Sequence, residues 1–470
     1  MTYIFFNEEE MMLKKSLVEN VLAAALEQGG EFAEIFFENR KVNAIGMISG
    51  KVESLTRGTD YGIGIRIIQG LNTVYAYTND LREENLIQIA RHASAALNGG
   101  KKNLVFNFNK KERADYSPIL IYPHEASIKE RIDSLRMGSE EMKNYDEIIT
   151  QTSANYADVD QQVLIANSEN LWVQDHRVRS RIFLNAVATH GSEMQTGYSA
   201  PGLSKGFEFL RELDIKALAK ETARTAKTLA LADYMPSGKM TVIMDNAFGG
   251  VLFHEACGHG LEASFVSKDS SVYAGKMGQQ IASPLITAID DGTIPNAWGT
   301  CNVDDEGTPT QRNVLIENGV LKSYLVDRLN GKRMGMKTTG SSRRESYKYA
   351  PTSRMNNTYI DKGESTLEEM IAGTEYGLYA KKLGGGSVDV VTGEFNFAVM
   401  EGYLVQNGKI IRPVRGASLI GKGMEVLQNI DMVGNNLELA AGMCGAESGS
   451  IPVFVGQPPV RIQSLTVGGR

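Results

Sequence analysis

Phe253-His254-Glu255-Ala256-Cys257-Gly258-His259-Gly260-Leu261-Glu262 holds two of the chain's 6 histidines, one of its 3 cysteines and two carboxylates. Two neutral imidazoles suit a zinc ion, and a glutamate beside the first is placed to take a proton from a water that such an ion polarises. The familiar zinc-peptidase pattern is H-E-x-x-H, with both histidines on one face of a helix. Here the second histidine comes one residue later. In a regular α-helix, residues five apart are separated by about 140° around the axis, too far to share a metal. A single π-type turn takes up one residue and brings them back to one side, and such turns recur at functional sites. Gly258, just before the second histidine, is where loosening the helix costs least. The stretch predicts a helix that bulges near Gly258. The competing reading is two unrelated core histidines on a glycine-rich segment, and Glu255 in the general-base position weighs against it.

Outward from this helix the chain reads as β-structure. Residues 239–244 predict a strand leading into it, after the breaker Met235-Pro236-Ser237-Gly238. Beyond Ser270, strands are expected at 294–302, 310–317, 320–327, 387–392, 394–406 and 409–413, with Asn318-Gly319 and Asn407-Gly408 as hairpin turns. Residues 235–470 therefore predict a large β-rich domain carrying one metal-binding helix. Upstream, helical periodicity at 8–28 and 81–97 brackets strands at 31–39, 42–49, 52–56, 61–68 and 72–77. A charged, proline-broken linker follows at 101–123. A helix at 124–144, strands at 147–156, 161–166, 171–173, 181–189 and 193–199, and a helix at 214–231 then repeat the order helix, strands, helix. The fold class is α+β: an N-terminal domain (1–100) and a central domain (124–234), both with antiparallel strands flanked by helices, precede the C-terminal domain. Gly62-Ile63-Gly64 lies inside a strand with no helix after it, so it predicts a close backbone neighbour and not a nucleotide loop.

At 470 residues the chain is too long for one ordinary core. Its 42% hydrophobic and 22% charged residues describe a globular protein, and a net charge of -7 lacks the basic footprint of nucleic-acid binders. Three scattered cysteines make no disulfide framework and fit a reducing compartment. No stretch approaches the roughly 18 apolar residues of a membrane span, and the N-terminus has no basic region before its short apolar run. A cytoplasmic protein is expected.

A catalytic zinc usually keeps three protein ligands and a water. Cys257 lies on roughly the face of His254, but ligands crowded on one turn bind poorly. Glu262, three residues after His259, can turn inward or orient an imidazole from behind. Cys444, in Gly442-Met443-Cys444-Gly445, is remote in sequence but flanked by glycines that let the backbone approach an ion. Spacing leaves Cys444 and Glu262 nearly even. For Cys257 and Cys301 the small buried hydrophobe is the favoured reading.

The whole chain resembles the TldD/PmbA family of cytoplasmic zinc metallopeptidases. The resemblance is carried by the 254–259 motif and by Tyr61-Gly62-Ile63-Gly64-Ile65-Arg66 with Val74-Tyr75-Ala76-Tyr77-Thr78. It is carried further by Arg354-Met355-Asn356-Asn357-Thr358-Tyr359, Glu375-Tyr376-Gly377-Leu378-Tyr379-Ala380, Gly384-Gly385-Gly386 and Gly416-Ala417-Ser418-Leu419-Ile420-Gly421. Met432-Val433-Gly434-Asn435 and the tail from Cys444-Gly445 through Gly456-Gln457-Pro458 to Leu465-Thr466-Val467-Gly468-Gly469 complete it. PmbA-type members are similar in fold but lack H-E-x-x-x-H, so the intact motif resembles the metal-bearing, TldD-type branch. The resemblance implies zinc held by His254, His259 and Cys444, with Glu255 as general base and Glu262 in a supporting role. It implies hydrolysis of short or unfolded peptides inside a dimeric chamber, as a homodimer or a heterodimer with a PmbA-type paralogue, and an association with peptide-antibiotic maturation, antitoxin turnover and gyrase modulation. After Cys444-Gly445, where a lysine and an acidic residue are expected, stand Ala446 and Glu447; the missing lysine bears on a basic contact near the third ligand.

Peptide is expected to bind in extended form along an edge strand near 384–390, since strand addition needs no particular side chains. Two rival readings differ in class. One is a zinc peptidase like dipeptidyl peptidase III, whose third ligand is a later glutamate; Glu368-Glu369 is the nearest acidic pair. The other is a non-enzymatic, gyrase-associated modulator, against which the acidic charge and missing basic stripe argue for any direct DNA contact.

Overall fold

The computed structural model describes residues 13–97, 99–100 and 105–469. The expected first turn of the leading helix (8–12), the short apolar run at the N-terminus and Lys101-Lys102 lie outside them. Helix Lys15–Ala25 presents Val18, Val21, Leu22 and Ala25 to one core with Ile35, Ile63 and Ile65, as its helical spacing requires.

Where four strands are expected, two long ones form: Phe32–Ile48 and Lys51–Gln69, joined at Ser49-Gly50 with φ of 47° and 79°. Both positive angles make the two-residue turn whose twist suits a hairpin. The breaks expected at 40–41 and 57–60 do not occur. Polar residues there mark the part of the hairpin that runs beyond its core, where residues 51–59 are exposed on both faces. The central region behaves the same way: Ile149–Asn167 and Leu171–His190 run unbroken where four strands are expected.

The two regions contribute to one eight-stranded sheet, in the order Asn72–Thr78, Lys51–Gln69, Phe32–Ile48, Ile149–Asn167, Leu171–His190, Asn109–Lys110. Phe32–Ile48 and Ile149–Asn167 pair antiparallel at its centre, and Glu193–Ser199 pairs with Leu171–His190. The repeated order helix, strands, helix is thus two similar halves meeting along one strand pair. Because side chains alternate on a strand, Ile35 and Phe37 meet helices Lys15–Ala25 and Glu83–Ser94, while Ile45 and Met47 meet Ile128–Lys143 and Ile215–Leu231. Phe36, Val163 and Ile165 point the other way, onto Val303 and Tyr347 of the C-terminal region. Gly62-Ile63-Gly64 is strand, and the Tyr347 ring lies against Gly62, a close neighbour as expected.

Among the described residues the C-terminal region holds two large sheets and a two-stranded one, Ser342–Arg343 with Thr352–Ser353. In the first, Tyr376–Val388 pairs parallel with Gly238–Met244 and antiparallel with Glu394–Gln406, so the strands close on themselves through Val460–Gly468 and Ser418–Lys422. The second runs Val320–Leu321, Arg312–Glu317, Ala288–Asp291, Asn357–Ile360, Gly449–Gln457, Glu438–Ala446. Asn318-Gly319 and Asn407-Gly408 are both left-handed pairs at hairpin turns, as expected. The strand expected at 294–302 is not formed: its backbone turns repeatedly, and Ala297 and Trp298 are anchored by packing on Ala441 and Phe454. The expected 320–327 strand stops after Leu321, and residues 389–392 form a turn instead of a strand. Among the described residues no helix is long and apolar enough to cross a membrane.

The motif helix lies between the two sheets. Phe253, Ala256, Cys257 and Leu261 share a core with Phe397, Leu419 and Leu465 of the closed sheet. On its other side, backbone meets backbone: a Cβ on Gly250 would stand 2.2 Å from the nitrogen of Gly456 in Gly449–Gln457. That approach sets how near Cys444, on the paired strand, comes to the histidines. Gly250→Ala is therefore expected to destabilise the fold by about 1–3 kcal/mol, read as a lower urea midpoint with an unchanged slope. A midpoint equal to the parent's would show that the approach is loose.

Candidate metal centre

Five residues, His254–Gly258, form a π-turn in which the His259 N–H donates to the carbonyl of His254, five residues back. The bulge expected near Gly258 is present, and its reason goes beyond helix flexibility. Gly258 has an ordinary helical φ of -52°, but a Cβ there would stand 2.3 Å from Sδ of Met355. Space, not backbone angle, selects glycine.

The π-turn places both imidazoles on one side, with ring centroids 4.9 Å apart and planes at 83°. Cys444, on the edge strand Glu438–Ala446, brings its Sγ to 3.2 Å from Nε2 of His254 and 3.3 Å from Nε2 of His259. Tetrahedral N and S ligands at about 2.0–2.3 Å from an ion stand roughly 3.5 Å apart, so this donor set fits zinc in kind and in separation. All three side chains are buried. Burial alone would raise the Cys444 thiol, but the two imidazoles hold it well below the ordinary cysteine value, which favours the thiolate that a metal requires. Burial would likewise lower His259, and Glu262 with Cys444 raise it instead.

The other candidates stand elsewhere. Cys257 points into the core, where burial pushes its thiol up to about 12, the state of an inert hydrophobe. Glu262 faces Nδ1 of His259 at 3.2 Å, behind the nitrogen aimed at Cys444, the position of a carboxylate that orients a ligand. Glu255 is half-buried, with Oε2 3.9 Å from Nε2 of His259, and burial raises its carboxyl. Glu369 of the Glu368-Glu369 pair caps its own short helix through Thr366 and is not part of this cluster.

Sequence reasoning did not assign a role to Arg354. Fully buried, it donates Nη2 to the Cys444 carbonyl at 2.5 Å and Nη1 to Ser448 Oγ at 2.9 Å, and its Nε lies 3.9 Å from Glu262 Oε1. One guanidinium thus ties the cysteine strand to the carboxylate behind His259. The available signal was an arginine three residues before the buried strand Asn357–Ile360, with no acidic residue beside it in sequence.

Three family descriptions match the chain: PmbA/TldA metallopeptidase domain 1 over residues 33–97, its central domain over 121–230 and its C-terminal domain over 237–469. A metalloprotease TldD homolog of Haemophilus influenzae is 37% identical over 455 residues, 93% of each chain. A zinc metalloprotease TldD homolog of Saccharolobus solfataricus is 25% identical over 95% of this chain and 98% of its own. The fold is shared with a Thermotoga maritima crystal structure described as a candidate modulator of a DNA gyrase, with TM-score 0.79 and 22% identity over 96% of this chain and 99% of that one.

If the three donors act together, elemental analysis of purified protein should find near one zinc per chain in the parent and in Cys257→Ala. Cys444→Ala should lose most of it. Equal zinc in parent and Cys444→Ala would remove Cys444 from the ligand set.

Proposed function

The chain belongs to the PmbA/TldD family of metallopeptidases, and from that premise we propose a zinc-dependent hydrolase of short or unfolded peptides. His254, His259 and Cys444 are its metal ligands and Glu255 its general base. The observation that carries this reading is the convergence of two imidazoles and a thiol 190 residues away on one buried point, with a carboxylate beside it. A bound zinc ion would polarise the scissile carbonyl and acidify a water.

The remaining work falls to this chain's own side chains. Glu255 accepts a proton from the attacking water at its carboxylate and returns it to the departing amine. Its raised affinity for protons, which burial causes, suits a group that must hold one between those two steps. Glu262 and Arg354 hold His259 in one orientation and the Cys444 strand in one register, so the donors need not reorganise when the metal binds.

Strand Tyr376–Val388 supports extended binding of the peptide. It packs against the π-turn, and beyond Ala380 it leaves its parallel partner Gly238–Met244 and, among the described residues, pairs only with Glu394–Gln406. Residues 384–388 thus keep one edge open to strand addition, which reads main chain and tolerates many side chains. Dimerisation, with a second copy or a PmbA-type paralogue, completes the reading. It is supported by the unpaired outer edge of residues 51–62, where Val52 and Leu55 are exposed.

Glu255→Gln should keep its zinc and lose at least about 100-fold in hydrolysis of a quenched fluorescent peptide. Unchanged turnover in a zinc-loaded variant would refute Glu255 as the base. Absence of turnover in the parent with a range of unstructured peptides, zinc being present, would refute the hydrolase.

A further inference from the structure

A cavity of about 330 Å³ lies outside the metal centre, between the N-terminal sheet and the hairpin Glu438–Ala446/Gly449–Gln457. Its polar wall carries Arg40, Arg177, Arg179, Arg343 and Arg344 against Asp305 and Glu345, five cations to two anions. Its apolar wall is Val159, Trp298, Met443, Ile451 and Pro452. Two of the guanidiniums have their counter-charges close by. Arg177 pairs with Asp175 at 2.8 Å and Asp305 at 2.6 Å, and Arg344 with Glu34 at 2.9 Å.

Arg179 and Arg343 do not. Arg343, 3% exposed, donates Nη1 to the Met355 carbonyl at 2.8 Å. Arg179, 7% exposed, donates Nε to the Trp298 carbonyl and Nη2 to the Thr300 carbonyl and the Cys301 thiol. Among the described residues neither reaches a carboxylate within ion-pair distance, and burial holds both guanidiniums below their ordinary value. Buried charge without a counter-ion opposes folding. Charged pairs account for Arg177 and Arg344, and Arg40 is partly exposed to solvent, so Arg179 and Arg343 are the buried groups whose charge the cavity leaves uncompensated.

From this geometry we infer that the cavity is a binding site for a carboxylate presented by a peptide, with Arg179 and Arg343 as the recognising groups. The planar, multi-donor guanidinium matches a carboxylate better than it matches any neutral group. A volume at the small end of ligand pockets, roughly 300–1,000 Å³, admits a residue or two and not a nucleotide cofactor. The apolar wall covers the side chain of the residue that brings the carboxylate. That the ligand is a peptide rests on the hydrolase reading; that it is an anion does not.

The cavity is an exosite. Met443 and Pro452 are registered opposite each other and line it; in the next pair Ile451 borders it as well, whereas Cys444 does not, its side chain leaning to the other face by strand alternation. A carboxylate docked here is on the face of the strand opposite the Cys444 side chain. It anchors the chain being cleaved, or another stretch of it, and it stiffens the hairpin that carries Cys444. Two sources present the same group: the α-carboxylate of a C-terminus and an acidic side chain.

The test uses full-length zinc-loaded protein carrying Glu255→Gln and one fluorescent peptide in three forms: free acid, C-terminal amide, and the amide with an internal Asp. Fluorescence anisotropy should give at least about tenfold tighter binding of the free acid than of the plain amide, and Arg343→Gln should bring the two within about twofold. If the Asp-bearing amide binds as tightly as the free acid, the side chain is a source as well. Equal affinity for all three forms, or a preference that survives Arg343→Gln, would overturn the assignment. Arg343 also supports Met355, so phenylglyoxal labelling with mass-spectrometric mapping serves as a second readout without a core variant. Free acid should protect Arg179 and Arg343 where the amide does not, and binding without protection of either would overturn it. Failure of hydrolysis is read separately, from turnover of the same peptides by the parent chain.

Discussion

Everything at the candidate metal centre depends on one hydrogen bond, from the His259 N–H to the His254 carbonyl five residues back. With α-helical bonds to the fourth residue back, the second imidazole would stand about 140° around the axis from the first, against about 40° at four-residue spacing. The π-turn restores the alignment by inserting one residue, and the surroundings hold it in place. Met355 occupies the space that a side chain at position 258 would need, and the Tyr273 hydroxyl donates to the Ala256 carbonyl at 2.8 Å. A turn that is intrinsically unfavourable is thus retained because its neighbours have been shaped around it.

The third donor arrives by a different route. Cys444 sits on an edge strand whose inner partner, Gly449–Gln457, is pressed against the start of the motif helix at Gly250 and Gly456. Two glycines facing each other bring the backbones closer than any pair of side chains would permit. Arg354 then fixes the remaining freedom by bonding the Cys444 carbonyl and facing Glu262. Hydrophobic packing sets the distance between the sheets, and this buried polar chain sets the register within it.

The N-terminal sheet joins the same construction from the far side. Glu34 bridges Arg66 of its own sheet and Arg344 of the C-terminal region, each at 2.9 Å, and Glu38 accepts the Tyr347 N–H at 3.0 Å. The loop that leads from Arg343 to Arg354 is therefore clamped by one sheet and delivers Arg354 to the other. It also turns arginines 343 and 344 toward the arginine-lined cavity, so the support of the candidate metal centre and the proposed exosite share one segment.

Sequence by itself determined which two imidazoles stand together and the local conformation that aligns them. The five-residue spacing of two histidines dictates a π-turn through helical geometry, and Asn-Gly pairs dictate hairpins through left-handed φ, because both constraints act within a few residues. It also determined the α+β class, since helical and alternating periodicities follow from burial of one face. Strand continuity across Arg40-Lys41 and Arg57-Gly58 was hidden, because exposed polar strand and loop have the same composition. The segment 294–302 read as strand but turns, because its apolar residues are buried by a distant hairpin and not by a sheet of their own. Only the tertiary structure decided between Cys444 and Glu262 as the group facing both Nε2 atoms, and only it brought Arg354 and the unpaired Arg179 and Arg343 into view. Those relations span 90 to 190 residues, and contacts at that range are set by how the sheets pack, which no local pattern encodes.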